Sequence, residues 1–475
     1  MISTSLIYFA FLISSVVLYY AIPARMRNYF LVAISLFFYA YVKVSYLLIV
    51  GSIITVNYFV GIAISKAIDK KLKTRYLYFS MFINIGILVY FKYWNFIIDN
   101  ISVLGGGEFL KNNFIISEIL LPLGLSYYIF QNIGYVLDIY RGAFKPEKDF
   151  IRFSLFTLFF PKLLVGPIER ARNFLPQLAK EISFDPDNII EGSKRIAWGL
   201  FKKLVVADRI SLYVDAVYSN LPHHNTSTFL FATFLYPIQV YADFSGYTDI
   251  ALGTARLFGF NLIDNFKRPL FARNISDFWR RWHISLSSWV NDYIYNPIVF
   301  KRRDWGNWSI FYALLISFVI IGVWHGASWN FVLFGTLQAL VLTYEALSKN
   351  WRKKISKKLP LWLYNNVSHL LTFLFFTFSL IIFRTVSGEA ALNIINVAQS
   401  GFGRLFIDKP STMLFIFIGI VILLSSEIIT EYKLFENKFG FRNNWLYQQI
   451  AFALLLIYII AAGVFDGGQF IYFAF

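Results

Sequence analysis

Long stretches without charge set the first limit on how this chain can fold. Residues 309–324 contain no charged side chain, and neither do residues 327–343. A helix of about 20 apolar residues crosses the hydrocarbon core of a bilayer, where helices satisfy their backbone groups internally. Hydrophobic residues make up 57% of the 475 positions and charged residues only 15%. The pattern predicts an all-α integral membrane protein.

Apolar runs recur along the whole chain, near residues 4–22, 28–42, 45–65, 76–98, 114–140, 150–165, 195–216, 228–260, 308–324, 327–346, 361–383, 411–430 and 449–465. Several are too short or too interrupted to cross alone, so we expect about 11 transmembrane helices plus re-entrant or amphipathic helices. The first run lacks a preceding basic region and a cleavage pattern, which favours a retained span. We expect one membrane domain over 1–475, with N-terminal spans in 1–113, a motif-bearing core in 114–346 and C-terminal spans in 347–475.

The formal charge of +17 comes from short basic blocks that separate apolar runs, such as residues 66–75 and 352–358. This placement is typical of cytoplasmic loops beside anionic lipid, and it favours a lipid bilayer over nucleic acid as partner. Arg25 and Arg27 fall on the same side as block 66–75 if each run crosses once. The chain is therefore expected to be multi-pass in the cell membrane with its N-terminus outside. No cysteine is present, which excludes a catalytic thiol and disulfides.

Residues 275–290 have the spacing of an amphipathic helix rich in tryptophan. Charged and hydroxyl side chains fall outside one apolar arc, which contains Ile275, Phe278, Trp279, Trp282, Leu286, Trp289 and Val290. We predict one helix, capped by Asn274 or Ser276, in the interface or folded back against the spans. His283 falls at the border of its two faces. Interfacial anchoring and a chemical role both remain open for this histidine.

His325 divides the uncharged stretch 309–343. As one straight helix that stretch would measure about 50 Å, which is longer than one span needs. The chain is therefore expected to break between Gly322 and Gly326, where irregular backbone must be packed in protein or line a cavity. An ionisable residue at that depth, here beside Trp324, is a functional-site hypothesis. A neutral imidazole can take a proton from an alcohol, although a structural histidine bonded between helices is the alternative.

A second polar feature is the segment 236–250, which places Asp243 and Asp249 in an otherwise apolar run. Gln239, Asp243, Gly246 and Gly253 share one helical face. This spacing predicts a polar seam between helices. The seam can hold helices together through hydrogen bonds and close glycine packing, or it can line a substrate path.

Three basic side chains are further candidates for contact with an anionic donor. Lys162 could neutralise such a donor, or it could extend to a lipid headgroup. Arg280 and Arg281 could clamp a phosphate, although paired arginines on an interfacial helix commonly hold lipid phosphate. A metal site is not expected, since His223 and His224 have no accompanying carboxylate cluster.

Several motifs in order carry a resemblance to a known family. They are LPLGLSYYIFQNIGYVLDIYRG at 121–142, FPKLLVGPIERAR at 160–172, YPIQVYADFSGYTDIALGTARLFGF at 236–260, NFKRPLFARNISDFWRRWHISLSSWVNDYIYNPI at 265–298 and GVWHGASWNFVLFGTLQAL at 322–340. Together they resemble the membrane-bound O-acyltransferase family, and within it the bacterial alginate O-acetyltransferase-like branch. The resemblance implies a multi-helix funnel, with His325 as the essential histidine and His283 as its companion. The basic stretch VFKRRDWGNW after Pro297 departs from the glycine-rich turn expected there.

The resemblance implies a membrane O-acetyltransferase that modifies a cell-surface polysaccharide. Its donor would be a cytoplasmic thioester, acetyl-CoA, with no bound cofactor. The acetyl group would reach the polymer directly or through a secreted or membrane-anchored acetyltransferase partner. Without cysteine, transfer would proceed by histidine-assisted attack or by a covalent serine or histidine step.

Two other functions remain as alternatives. D-alanyl transfer from a carrier protein toward teichoic acid would keep the fold and change the acyl group. A proton-coupled transporter or flippase would use the same buried histidine and aspartates as a proton relay. Such transporters commonly contain internal repeats, and the two halves of this chain show no convincing self-similarity.

Overall fold

The computed structural model describes residues 4–116, 121–163, 165–385, 387–434 and 445–465. Over these ranges the secondary structure is helical and contains no strand. The chain divides into two compact units, Met1–Ser193 with Ala251–Asp264 and Lys194–Ile250 with Asn265–Phe475. The division passes within the two helices α11 (Pro186–Leu200) and α13 (Thr226–Leu257).

The first unit consists mainly of ten helices that precede α11. They are α1 (Leu6–Ala21), α2 (Arg27–Ala40), α3 (Tyr46–Lys66), α4 (Lys70–Leu88), α5 (Trp94–Ile101), α6 (Gly107–Phe114), α7 (Leu125–Tyr140), α8 (Phe150–Leu158), α9 (Phe160–Leu163) and α10 (Ala171–Leu178).

The second unit contains the remaining helices and most of α13. They are α12 (Asp208–Tyr218), α14 (Ile275–Arg281), α15 (Ile284–Val290), α16 (Asn296–Lys301), α17 (Asn307–His325), α18 (Trp329–Leu347), α19 (Lys349–Lys358), α20 (Leu361–Arg384), α21 (Gly388–Gln399), α22 (Pro410–Glu431) and α23 (Trp445–Ala462). Wider turns with i→i+5 hydrogen bonds join several of these helices, including residues 201–207 between α11 and α12.

Within the described ranges, seven helical segments are long and apolar enough to cross a membrane. They are Tyr46–Lys66, Lys70–Ile101, Asn307–His325, Trp329–Leu347, Leu361–Arg384, Pro410–Glu431 and Trp445–Ala462. The expected number of about 11 is not confirmed. α1 is apolar but has only 16 residues, and the run 150–165 is split between α8 and α9. Residues 117–120 and 164, which belong to two of the expected runs, lie outside the described ranges.

α17 and α18 form a tight hairpin that ends at His325. The expected chain break is confirmed, because α17 stops at His325, Gly326 is extended (φ −168°), and α18 begins at Trp329. A Cβ added at Gly322 would overlap the carbonyl oxygen of Phe331, and one at Gly335 would overlap that of Phe318. The absence of these two side chains lets the two helices approach at backbone distance.

The segment 275–290 is two helices, so the prediction of a single amphipathic helix is wrong. α14 ends at Arg281, and His283 adopts a left-handed backbone conformation (φ 45°) before α15 begins. The backbone N–H of Lys267 donates to the carbonyl of Arg281, and that of Ile284 donates to the carbonyl of Asn265 (both 2.9 Å). These bonds to a distant segment replace helical ones, and helical periodicity cannot reveal them. The expected cap is confirmed, since Asn274 accepts from the N–H of Asp277 (2.8 Å).

Gly335→Ala should destabilise the hairpin, because the added methyl group overlaps the backbone of α17. We expect a loss of about 2 kcal/mol, typical of overpacking a close contact, measured by unfolding of the purified protein in detergent. Gly86→Ala is the control, because a Cβ there meets nothing within 4 Å. Equal stability of the two variants would contradict a backbone-limited hairpin.

Candidate active site

Trp324 packs against both candidate histidines. Its ring centroid lies 5.5 Å from that of His283 (75° between planes) and 5.2 Å from that of His325 (79°). His283 is 0% exposed and His325 4% exposed. The tertiary structure therefore brings the two histidines predicted from sequence into contact with one indole, inside the second unit.

Aromatic rings from several helices contact each histidine. Phe244 from α13 meets the His283 ring edge-on at 4.9 Å between centroids, and Phe383 from α20 meets the His325 ring at 5.3 Å. Phe334 lies 6.3 Å from the same ring. An imidazole in such surroundings exchanges protons with a bound reactant more readily than with bulk water, which suits general acid–base chemistry.

His283 lies outside the seven candidate spans but is fully buried. Loss of solvation on burial disfavours its charged form and lowers the pKa of His283 to about 3. Its imidazole is therefore neutral at physiological pH, with one ring N–H as donor and one ring nitrogen as acceptor.

Two side chains that sequence reasoning missed hold the helices on either side of His283. Asn265 Oδ1 accepts from the backbone N–H (3.1 Å) and hydroxyl (2.9 Å) of Ser285. Glu345 from α18 accepts from the N–H groups of Ile275 (2.7 Å) and Ser276 (2.9 Å), at the positive end of α14. Glu345 could have been suspected as the first charge after a long uncharged run, whereas Asn265 has no distinguishing pattern.

The predicted seam on α13 is occupied by ion pairs. Lys203 Nζ lies 2.7 Å from both Asp243 Oδ1 and Asp208 Oδ1, and Lys202 Nζ lies 2.5 Å from Asp249 Oδ2. The two lysines are 4% or less exposed. This arrangement supports the interpretation that Asp243 and Asp249 hold helices together. Sequence reasoning could have found these partners, because two adjacent lysines interrupt the apolar run 195–216.

Close backbone packing completes this seam. A Cβ at Gly246 would crowd the carbonyl oxygen of Gly199 at 2.9 Å, and a Cβ at Gly199 would crowd that of Gly246 at 2.6 Å. Gln239, on the same helix, is buried at 5% exposure. α13 and α11 therefore meet at glycines beside the ion pairs, which supports the packing alternative for the shared face.

The other predicted basic residues lie in different settings. Arg281 pairs with Asp277 (3.2 Å) and with a glutamate of α22, whereas the side chain of Arg280 is 70% exposed. Lys162 belongs to the first unit, where it is 3% exposed and donates to Gln131 Oε1 (2.9 Å). Its ammonium is thus held by protein and does not extend to a headgroup.

A cavity of about 900 Å³ opens in the second unit between α14, α15, α17, α18 and α19. Its apolar wall includes Trp279, Phe318 and Ile321, and its basic residues are Arg280, Lys349, Arg352 and Lys353. Neither histidine lines it, although Ile284 directly follows His283 and Ile321 lies one helical turn before His325. Such a lining suits an elongated ligand with an apolar part and phosphate groups. In the described part of the chain, no group of three histidine or acidic residues could hold a metal ion.

Comparison with known proteins identifies the family. The model of the membrane-bound O-acyltransferase family matches residues 146–385, which include His283, Trp324, His325 and the residues that line the cavity. The chain belongs to the membrane-bound O-acyltransferase family. It is therefore a multi-pass membrane acyltransferase, and this membership favours an enzyme over a transporter or flippase.

Three relatives illustrate the range within this family. The chain is 32% identical to the probable alginate O-acetylase AlgI of Pseudomonas putida, over 85% of this chain and 80% of the relative. It is 31% identical to a peptidoglycan O-acetyltransferase of Helicobacter pylori, over 86% of this chain and 82% of the relative. It is 30% identical to a teichoic acid D-alanyltransferase of Bacillus subtilis, over 55% of this chain and 68% of the relative.

Asp243→Asn should destabilise the second unit, because it leaves the buried Lys203 with one carboxylate in place of two. Breaking a buried ion pair costs about 3 kcal/mol, measured by unfolding in detergent. Asp215→Asn is the control: it removes a carboxylate 2.7 Å from Arg384, but Asp215 is 59% exposed. We expect a change of less than about 1 kcal/mol there. Equal losses would contradict a structural role for the buried cluster.

Proposed function

We propose that this protein is a membrane O-acetyltransferase that transfers acetyl groups from cytoplasmic acetyl-CoA for O-acetylation of a cell-surface polysaccharide. The observation that carries the proposal is the buried arrangement of His283, Trp324 and His325. Relatives named for O-acetylation, matching more than four-fifths of this chain, support the acetyl group and the polymer class. The acetyl group reaches the polymer directly or through a secreted or membrane-anchored acetyltransferase partner.

His325 acts as the general base in this mechanism. One ring nitrogen takes the proton of an acceptor hydroxyl while the hydroxyl oxygen attacks the thioester carbonyl. The carbon–sulfur bond then breaks, the thiolate receives the proton from the imidazolium, and an acetyl ester remains on the acceptor. The neutral His283 can donate its ring N–H to the oxyanion that forms on the carbonyl.

The cavity supports a phosphate-bearing thioester as donor. Its cations suit the phosphates of CoA, and its apolar wall suits the pantetheine arm. α19 carries the basic block that the positive-inside rule assigns to the cytoplasm, so the donor enters from that side. We further propose that the membrane is the plasma membrane and that the N-terminus lies outside, because Arg25, Arg27 and block 66–75 fall on the cytoplasmic side if each of the first runs crosses once. A charged donor cannot cross hydrocarbon, so an acyltransferase buried in the membrane links the two compartments.

His325→Ala should reduce acetyl transfer by about 100-fold or more, because the general base is lost. The measurement uses purified protein in lipid vesicles with labelled acetyl-CoA and a polysaccharide acceptor. His223→Ala is the control, since that histidine is exposed and does not line the cavity. Full activity of His325→Ala would overturn the proposed function.

Lys353→Glu should raise the KM for acetyl-CoA by about tenfold with little change in kcat, because it places a negative charge in the cavity that binds the phosphates. Lys354→Glu is the matched control, with the same charge change at a neighbouring position that does not line the cavity. If both variants have the same KM for acetyl-CoA, the donor does not bind in this cavity.

D-alanyl transfer remains the second candidate function, favoured by the match to the teichoic acid D-alanyltransferase. Assays with a D-alanyl-loaded carrier protein in place of acetyl-CoA separate the two functions. Transfer of D-alanine together with inactivity toward acetyl-CoA would replace the acetyl proposal with this one.

A further inference from the structure

Two distant segments meet at the His283 turn, and each carries a non-glycine residue in the left-handed region. These residues are Arg268 (φ 49°) and His283 (φ 45°). Such a conformation costs about 1–3 kcal/mol for a residue with a side chain, and it persists only where the surroundings impose it. α14 and α15 have seven residues each, too few to fix the angle between them by themselves. The position of the His283 ring therefore depends on contacts from outside these two helices.

Glu431, at the end of α22, joins both segments. Its Oε2 lies 2.6 Å from Arg268 Nε, and its Oε1 lies 2.8 Å from Arg281 Nη1. Each carboxylate oxygen thus holds one arginine, one on the segment before α14 and one immediately before Trp282. Arg281 has a second partner in Asp277 (3.2 Å), but Asp277 belongs to α14 itself and cannot connect the two segments.

α22 is fixed against the same region by a second carboxylate one turn earlier. Tyr241 donates a hydrogen bond to Glu427, and the Tyr241 ring lies 6.2 Å from that of Trp282. Glu427 and Glu431 stand four residues apart and so share one face of α22. α22 thereby contributes two carboxylates to the surroundings of the His283 turn, although it lies beyond the residues 146–385 that match the family.

We propose that Glu431 is a positioning residue that sets the geometry of the His283 turn through Arg268 and Arg281. It does not touch the reactants. Its charge holds the two arginines and thereby the backbone that presents His283 to Trp324 and His325. This proposal rests on the proposed function, because acetyl transfer is the readout and the catalytic role of His283 belongs to that function.

Glu431→Gln tests the proposal, because it keeps the size of the side chain and removes its charge. We expect kcat for acetyl transfer to fall about tenfold, with the KM for acetyl-CoA changed less than about twofold, since a small displacement of a catalytic group affects the chemical step first. Glu431→Asp retains the charge and should recover most of the lost kcat. Asp215→Asn is the control, because it removes an arginine–carboxylate pair that does not touch this turn.

A double-mutant comparison separates positioning from general stabilisation. If Arg268 acts through Glu431, then Arg268→Gln alone lowers kcat, and adding it to Glu431→Gln lowers kcat no further. Activities are normalised to folded protein measured by size-exclusion chromatography in detergent. If Glu431→Gln yields no folded protein, the kcat of Arg268→Gln tests the positioning role in its place.

Several results would overturn the positioning role. One is an unchanged kcat per folded molecule in the deciding variant, and another is full additivity of the two substitutions. A loss of kcat in Glu431→Gln that Glu431→Asp does not recover would also overturn it. These outcomes are distinct from failure of the proposed function, which would appear as acetyl transfer retained by His325→Ala.

Discussion

Two backbone hydrogen bonds hold the turn on which the candidate active site depends. They run from Lys267 to Arg281 and from Ile284 to Asn265, and they replace bonds that a continuous helix would have made. The chain between them reverses into the left-handed region at His283. A segment with the spacing of one amphipathic helix thereby becomes two short helices, and a histidine that would lie at an interface is buried against Trp324. The same two hydrogen bonds therefore account for both the bent backbone and the burial of His283.

The acidic side chains of α13 and α18 near this site have partners within the protein. Asp243 and Asp249 are paired with buried lysines, and Glu345 caps α14. A buried charge without a partner would cost several kcal/mol, so these pairs are a condition for packing so many helices together. The pairs also limit which side chains can take part in acyl transfer. The aspartates of α13 are engaged with lysines, whereas the two histidines lie beside Trp324.

The α17–α18 hairpin connects the proposed donor site with the proposed base. Phe318 and Ile321 of α17 line the cavity, and His325 ends the same helix one turn beyond Ile321. Leu342 and Glu345 of α18 also line the cavity. Because glycines let these helices touch at backbone distance, the spacing between cavity and histidine is fixed by helix geometry and not by a flexible loop.

The sequence by itself determined the fold class, the break at His325 and the motifs that identify the family. These depend on local quantities: the length of uncharged runs, the thickness of a bilayer and the order of short motifs. The number of spans was less determined, because an apolar run such as 150–165 does not reveal where a helix is interrupted.

Only the tertiary structure decided the break at His283, the lysine partners of Asp243 and Asp249, and the contact of Glu431 with Arg268 and Arg281. Each depends on hydrogen bonds or ion pairs between residues far apart in sequence. The periodicity of one segment records which face is apolar, but it does not record which distant backbone or charge will compete for its hydrogen bonds.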